Sequence, residues 1–263
     1  MKLRGLLPVM AIATLVSAAA FASTSTCPEH YFDGQPPIII NSKLAAETRE
    51  LCNQGYGVIH SGVTRTPVVG GELLTLERLE QGRGLPRVNS VRPDFRLAAK
   101  ERAVLRDYAR SGYDRGHLVS PSADSFSPES QEDTFLLSNM IPQDPDNNRH
   151  LHEGIESAVR KEAKKRGRLY VVTGTLYFGS ELKRLKGRVI VPTGHYKCVM
   201  DPRRQEAGCY VEKNAPGIEY KVASVREVEE LAGINIFPAL SDAVKDTAMR
   251  LPEPKTYRQR RGQ

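Results

Sequence analysis

The sequence predicts an α+β fold, on three observations. Residues Arg168 to Phe178 and Arg188 to Met200 are rich in Val, Ile, Tyr and Thr, with Gly and Pro at their margins, the composition of strands. Ahead of them, Leu151 to Arg166 repeats Leu151, Ile155 and Val159 every four residues among charged neighbours, the pattern of an amphipathic helix. Strands and helices mix without the strict alternation that builds a doubly wound parallel sheet.

The chain opens with Lys2 and Arg4, an apolar run from Leu6 to Ala20, and the small-x-small triplet Ala20-Phe21-Ala22. Residues 1–22 therefore read as a secretory signal peptide, which predicts a periplasmic or secreted protein. The run is shorter than the roughly 20 apolar residues a membrane anchor needs, and no later segment is apolar for that long. Cleavage removes two cations and no anions, so the formal net charge falls from +7 to +5. An excess of Lys and Arg favours polyanionic partners such as nucleic acid. No linker or repeat divides residues 23–251, which read as one domain, and residues 252–263, with Arg258, Arg260 and Arg261, read as a disordered basic tail.

Within the domain, residues 41–51 (NSKLAAETREL) and Leu97 to Ser111 have helical composition, the second stopped by Ser111-Gly112. Gly55 to Val69 alternates in short β-prone pieces broken at Ser61-Gly62 and Pro67. Arg188 to Asp201 and Gln205 to Asn214 flank Asp201-Pro202-Arg203-Arg204, and a hairpin centred there sets Cys198 opposite Cys209. That pairs Cys198 with Cys209 and, by elimination, Cys27 with Cys52; no CxxC spacing supports a metal site instead.

The chemistry concentrates in the middle of the chain. Tyr113-Asp114-Arg115-Gly116-His117 is followed by Ser138-Asn139-Met140-Ile141-Pro142-Gln143, then by Asn147-Asn148-Arg149 at the mouth of the amphipathic helix. An imidazole titrates near neutrality and can take a proton from water. On an extended strand, Arg115 points to the same side as His117 and can grip a phosphate. Asn148, His152, Glu156 and Arg160 recur every four residues, a polar stripe beside the apolar one. An amide oxygen suits a hard cation such as magnesium, which keeps several waters and needs few protein ligands.

DRGH, SNM-x-PQ and the N-x7-E helix, in this order, resemble the DNA/RNA non-specific endonucleases of the ββα-metal (His-Me finger) superfamily. The resemblance runs from about Cys27 to about Pro238. It implies a central antiparallel sheet flanked by helices, with a strand–loop–helix finger, and hydrolysis of DNA and RNA with one Mg2+, Mn2+ being a substitute. By the same resemblance His117 is the general base, Asn148 the direct metal ligand and Asn139 a residue that helps position the site. Arg115 contacts the scissile phosphate, Glu156 holds metal-bound water and Arg160 lies near the phosphate. Arg65, in Thr64-Arg65-Thr66-Pro67, is a candidate for the substrate groove or an ordinary surface arginine.

Two departures stand out. The family usually carries Trp four residues after the metal asparagine; this chain has His152 there and no Trp at all. His152 is then a packing substitution or an added ligand that shifts preference toward manganese or a transition metal. The stretch after DRGH, Leu118 to Asp124, is one residue longer than usual, and Asp124 receives no role. His30, His60 and His195 read as structural or surface residues. Two rival functions remain at this level: a nucleic-acid-binding or DNA-uptake protein with weak or lost catalysis, and a different metal hydrolase built on His150, His152 and Glu153 or Glu156. The second fares poorly, because side chains two apart on a helix diverge by about 200°.

Overall fold

In the computed structural model, which describes residues 25–255, seven strands form one antiparallel sheet. They are β1 (Thr48–Cys52), β2 (Tyr56–Ser61), β3 (Thr66–Thr75), β6 (Arg168–Leu176), β7 (Gly194–Asp201), β8 (Glu206–Lys213) and β9 (Tyr220–Ala223). Across the sheet the order is β9-β8-β7-β6-β3-β2-β1. The remaining two labelled strands, β4 (Asp114–His117) and β5 (Met140–Gln143), pair only with each other, and this small hairpin leads into helix α3 (Glu153–Arg166). The architecture is the α+β one expected, with its ββα finger. The segment expected to be a signal peptide, residues 1–22, and residues 256–263 lie outside the described residues. Residues 252–255 begin the expected tail packed on the domain, with the Pro252 carbonyl accepting from the Tyr210 hydroxyl.

Side-chain alternation gives the sheet two covered faces. Val69, Val172, Tyr196, Cys198, Met200 and Cys209 face α4 (Val225–Ala232) and form one core with its Val225, Val228 and Ala232. Leu74, Val171, Val199 and Tyr210 face α3 and pack on Leu151, Ile155 and Val159, the apolar stripe read from the sequence. Local signals fix the helix ends. Ser224 and Glu227 form a capping box on α4, and Gly233 ends it in the left-handed region at φ 66°. Thr75 caps α1 (Leu76–Gln81), and Ser127 with Ser130 caps α2 (Pro128–Thr134).

The β7–β8 hairpin turns at Asp201, whose carboxylate accepts from the backbone N–H groups of Arg203 and Arg204. Cys198 and Cys209 stand directly opposite in its register and are disulfide-bonded, as are Cys27 and Cys52. Three expectations are corrected. The helix expected over 41–51 is a single turn, Ser42–Ala45, because Glu47 adopts φ 54° and the chain then becomes edge strand β1. The helix expected over 97–111 is also one turn, Leu105–Tyr108, since Val104 is extended and Arg110 has φ 56°. The strand expected over 188–200 is two, Val189–Ile190 and β7, separated at Pro192, which has no N–H for a ladder.

Candidate active site

The finger is held by backbone pairing and one close approach. Gly116 pairs with Ile141, and a Cβ at Gly116 would lie 1.9 Å from the Gln143 side-chain oxygen, so only glycine fits between Arg115 and His117. Asn139 is fully buried: its side-chain oxygen accepts from the Val119 N–H at 2.9 Å, and its amide donates to the Val119 and Thr134 carbonyls at 2.9 and 3.0 Å. It braces the loop that follows His117 rather than facing the cleft.

An open cleft of about 420 Å³ is lined by Arg115, His117, Asn148, His152, Glu156 and Arg160, together with Arg87, Asp114, Ser120, Arg149 and Glu153. Five of the residues singled out for chemistry thus meet in one place, along with His152. Arg65 does not join them. It sits at φ 59° in the β2–β3 turn, where the charges acting on it are those of Arg188, Asp107, Arg184 and Glu47. The tight turn after Ser61 carries it away from the cleft.

His117 ends β4, with its ring edge-on to Phe135 at 5.3 Å and its Nε2 buried without a hydrogen-bond partner. Burial, only partly offset by the charge of Glu156, pushes its pKa down to about 4. The imidazole is therefore neutral at ordinary pH and its Nε2 is free to accept a proton.

Arg115 is exposed and makes no ion pair among the described residues, because Asp114 is taken by Arg149, at 2.7 Å, and by the Asn148 amide at 3.0 Å. That leaves the Asn148 side-chain oxygen as a free hard acceptor. Asn148 lies in a π-helical turn, Asn147–His152, which precedes α3 and replaces the uniform α-helix that the four-residue spacing predicts. Despite the turn, Asn148, His152, Glu156 and Arg160 all reach the same cleft.

Glu156 accepts from the Ser120 hydroxyl at 2.7 Å and lies 3.5 Å from His152 Nε2 and 3.7 Å from Arg160. Burial would raise its pKa, but the nearby His152, with Lys197 and Arg160, outweighs this and holds it at about 2. Arg160 also approaches Glu153 at 3.8 Å. His152 is buried, and although burial opposes its charge, Glu212 and Glu156 raise its pKa to about 9. It is neither a simple packing residue nor coupled to His150, which turns instead toward Asp146 at 3.6 Å.

Several residues of this region carried no role in the sequence reading. Ser120, in the lengthened loop, holds Glu156. Asp114 fixes Asn148 and Arg149. Glu212 and His195, opposite each other on β8 and β7, lie beneath His152, and Lys197 lies two residues further along β7. His195 is buried, as a structural residue would be, but within this polar cluster. Its signal was available: His195 and Lys197 are polar residues at alternate positions within the mostly apolar run His195 to Met200. Asp124 is buried with its carboxyl raised well above the usual range by burial, and it does not line the cleft.

Residues 35–243 match the family model described as DNA/RNA non-specific endonuclease. The chain is 31% identical over 208 residues to Nuclease C1 of Cunninghamella echinulata var. echinulata, covering 71% of this chain and 82% of that protein. It is 36% identical over 167 residues to the mitochondrial Nuclease 1 of Schizosaccharomyces pombe, covering 59% of this chain and 52% of that one. To the mitochondrial Endonuclease G of Homo sapiens it is 30% identical over 203 residues, covering 70% and 68%. A chain in a crystal structure of an EndoG/EndoGI complex superposes with a TM-score of 0.69 at 25% identity, covering 77% of this chain and 90% of that one. With the family model spanning most of its length, the chain belongs to the DNA/RNA non-specific endonucleases.

Proposed function

We propose that this protein hydrolyses phosphodiester bonds of DNA and RNA without regard to sequence, with His117 as general base and a magnesium ion held at Asn148. The observation that carries the reading is the convergence of a neutral, partnerless His117 Nε2 with Asn148, Glu156, Arg115 and Arg160 on one cleft. His117 Nε2 takes a proton from water as the water oxygen bonds to phosphorus and the bond to the leaving sugar oxygen breaks. Arg115, free of any ion pair among the described residues, binds a phosphate oxygen, and Arg160, oriented by Glu153 and Glu156, faces the same group. Contacts of this kind address phosphate rather than bases, which accounts for indifference to sequence.

The donor set fits a hard divalent cation. Asn148 would hold it through the oxygen that Asp114 leaves free, and the Glu156 carboxylate would orient its water. Bound there, magnesium, or manganese in its place, neutralises charge that builds on the phosphate oxygens in the transition state.

In this reading residues 23–251 are the nuclease domain, exported to the periplasm or beyond by the leader at 1–22. Two disulfides suit an oxidising compartment. Among the described residues no helix is long and apolar enough to cross a membrane.

Purified protein incubated with plasmid and with RNA should cleave both in magnesium and neither in EDTA. His117→Ala should lower the rate by roughly 10²–10⁴-fold while keeping DNA binding. Undiminished cleavage by that variant overturns the assignment, and wild-type protein that binds without cleaving favours a nucleic-acid-binding role.

A further inference from the structure

We propose that Glu212 and His152 form a buried dyad that positions two working groups of the cleft, Glu156 on α3 and Asn148 in the turn before it. The proposal rests on the nuclease reading of the cleft. Glu212, on β8, is 5% exposed, and neither Lys nor Arg makes an ion pair with it among the described residues. Its carboxylate instead takes the His152 Nδ1 proton at 2.6 Å, lies 3.2 Å from His195 Nε2, and accepts from the Asn147 amide at 3.0 Å. One sheet carboxylate therefore holds both His152, which faces Glu156, and Asn147, the residue before Asn148.

The His152 ring is fixed at its far side by this hydrogen bond and flanked edge-on by His195 at 5.1 Å. Its Nε2 is thereby turned to Glu156, 3.5 Å away, on the wall of the cleft. Glu156 accepts a hydrogen bond from Ser120 and has the Arg160 guanidinium at 3.7 Å and the His152 Nε2, which has no hydrogen-bond partner among the described residues, at 3.5 Å, so the dyad sets which nitrogen faces its carboxylate. The ring thus stands between two carboxylates, hydrogen-bonded to Glu212 and 3.5 Å from Glu156. His152, His195 and Glu212 have ligand atoms within 4.8 Å of one another, the spacing of a metal site. The 2.6 Å contact is a direct hydrogen bond, however, whereas two ligands of one tetrahedral zinc stand roughly 3.4 Å apart.

The test compares Glu212→Gln, His152→Gln and Glu156→Gln, singly and in pairs, on plasmid DNA with varied magnesium. Glu212→Gln should lower kcat by about tenfold or more, leave KM for DNA within about twofold, and raise the magnesium needed for half-maximal rate. The Glu212→Gln/Glu156→Gln pair should be no slower than Glu156→Gln alone, because both changes remove one arrangement. In the metal-free protein a downfield Nδ1–H proton of His152 should be visible by NMR and vanish in Glu212→Gln. His152→Gln reaches the dyad from the helix side should Glu212→Gln fold poorly. Wild-type kcat and magnesium response in either folded variant, strictly additive losses, or stoichiometric zinc that departs with His195→Ala would each overturn the dyad. Wild-type activity and its loss in EDTA are measured first, so an inactive wild type removes the nuclease reading, while an active wild type with an unaffected Glu212→Gln removes the dyad alone.

Discussion

The two faces of the central sheet are made by the same strands, one residue out of step, and they differ in kind. Under α4 the inward residues of β6 and β7 are Val172, Tyr196, Cys198 and Met200, an apolar layer closed by a disulfide. Under α3 the residues between them include Thr173, His195 and Lys197, joined by Glu72 on β3 and Glu212 on β8, all buried. Burying such groups costs free energy unless each is paired, and here Thr173, Lys197, His195 and Glu212 have partners while the Glu72 Oε2 has none among the described residues. Lys197 donates to Thr173 at 2.6 Å, and His195 and Glu212 face each other in register. One face stores stability; the other spends part of its area holding the floor of the cleft.

The largest effect that can sharpen this contrast comes from the apolar face. Phe237 is 2% exposed in the α4 core, and Phe237→Ala should cost roughly 3–5 kcal/mol, lowering Tm by about 6–20 °C. Activity per folded molecule should not change, and the fall in Tm should be the same at every pH. A loss of kcat in the folded fraction would mean that the two faces are not independent.

The α3 face should respond to pH instead. Burial, opposed by Lys197, raises the Glu72 carboxyl to about 7, so the folded protein retains a proton that the unfolded chain has shed above about 4.5. Stability therefore falls as pH rises through that window. His152, at about 9 in the fold against 6.5 unfolded, contributes fully below 6.5 and loses its contribution as pH rises through about 9. Glu156 works in the opposite sense only toward about pH 2, outside this range. His117, held at about 4, and the buried His30, His60 and His195, also lowered by burial, act in the opposite sense up to about pH 6.5, so a decline in Tm is expected only above about pH 6.5. Relative to wild type, Glu72→Gln should lack a loss of Tm between about pH 4.5 and 7, and His152→Gln a loss between about pH 6.5 and 9, as read by calorimetry. Variants whose Tm runs parallel to wild type through both windows would place the pH dependence elsewhere.

How much of this was legible in the sequence follows the same division. The α3 stripe, the strands β6 and β8 and both cysteine pairs could be read because each rests on local periodicity or one turn. The residues DRGH, Asn148, Glu156 and Arg160 were legible because their order matches a family pattern. The short elements at 42–45 and 105–108 were not, since their ends depend on positive φ at Glu47 and Arg110, residues with no special preference for it. Glu212 and His195 lie sixty and forty-three residues from His152 in sequence, and only the strand register brings them beneath it. Arg65 shows the converse: a basic residue in a promising motif is carried off by a tight turn.

A smaller shift in pH dependence separates His117 from an exposed histidine. With a pKa of about 4, the base is neutral at all pH values above that, so kcat/KM should hold from neutrality down to about pH 4 and fall about tenfold per unit below. An acid limb centred near 6.5, in a stopped assay across buffers, would show that the working imidazole is solvated rather than enclosed against Phe135.

The smallest effect tests whether the apolar face is truly apolar. The Tyr196 hydroxyl is buried with no hydrogen-bond partner, and its ring lies over Gly174, where a Cβ would stand 2.3 Å from the hydroxyl oxygen. An unpartnered buried hydroxyl has lost its water and gained nothing in return. Tyr196→Phe keeps the ring and removes that oxygen, so it should be neutral or stabilising by up to about 1 kcal/mol, a rise in Tm of about 2–4 °C at most. The equivalent deletion beneath the cleft, Lys197→Met, removes a bonded cation beside Glu72 and should destabilise, more strongly at pH 8 than at pH 6, where Glu72 carries its proton. If Tyr196→Phe instead lowers Tm by several degrees, the hydroxyl has a partner, and the α4 face shares the polar character assigned here to the α3 face alone.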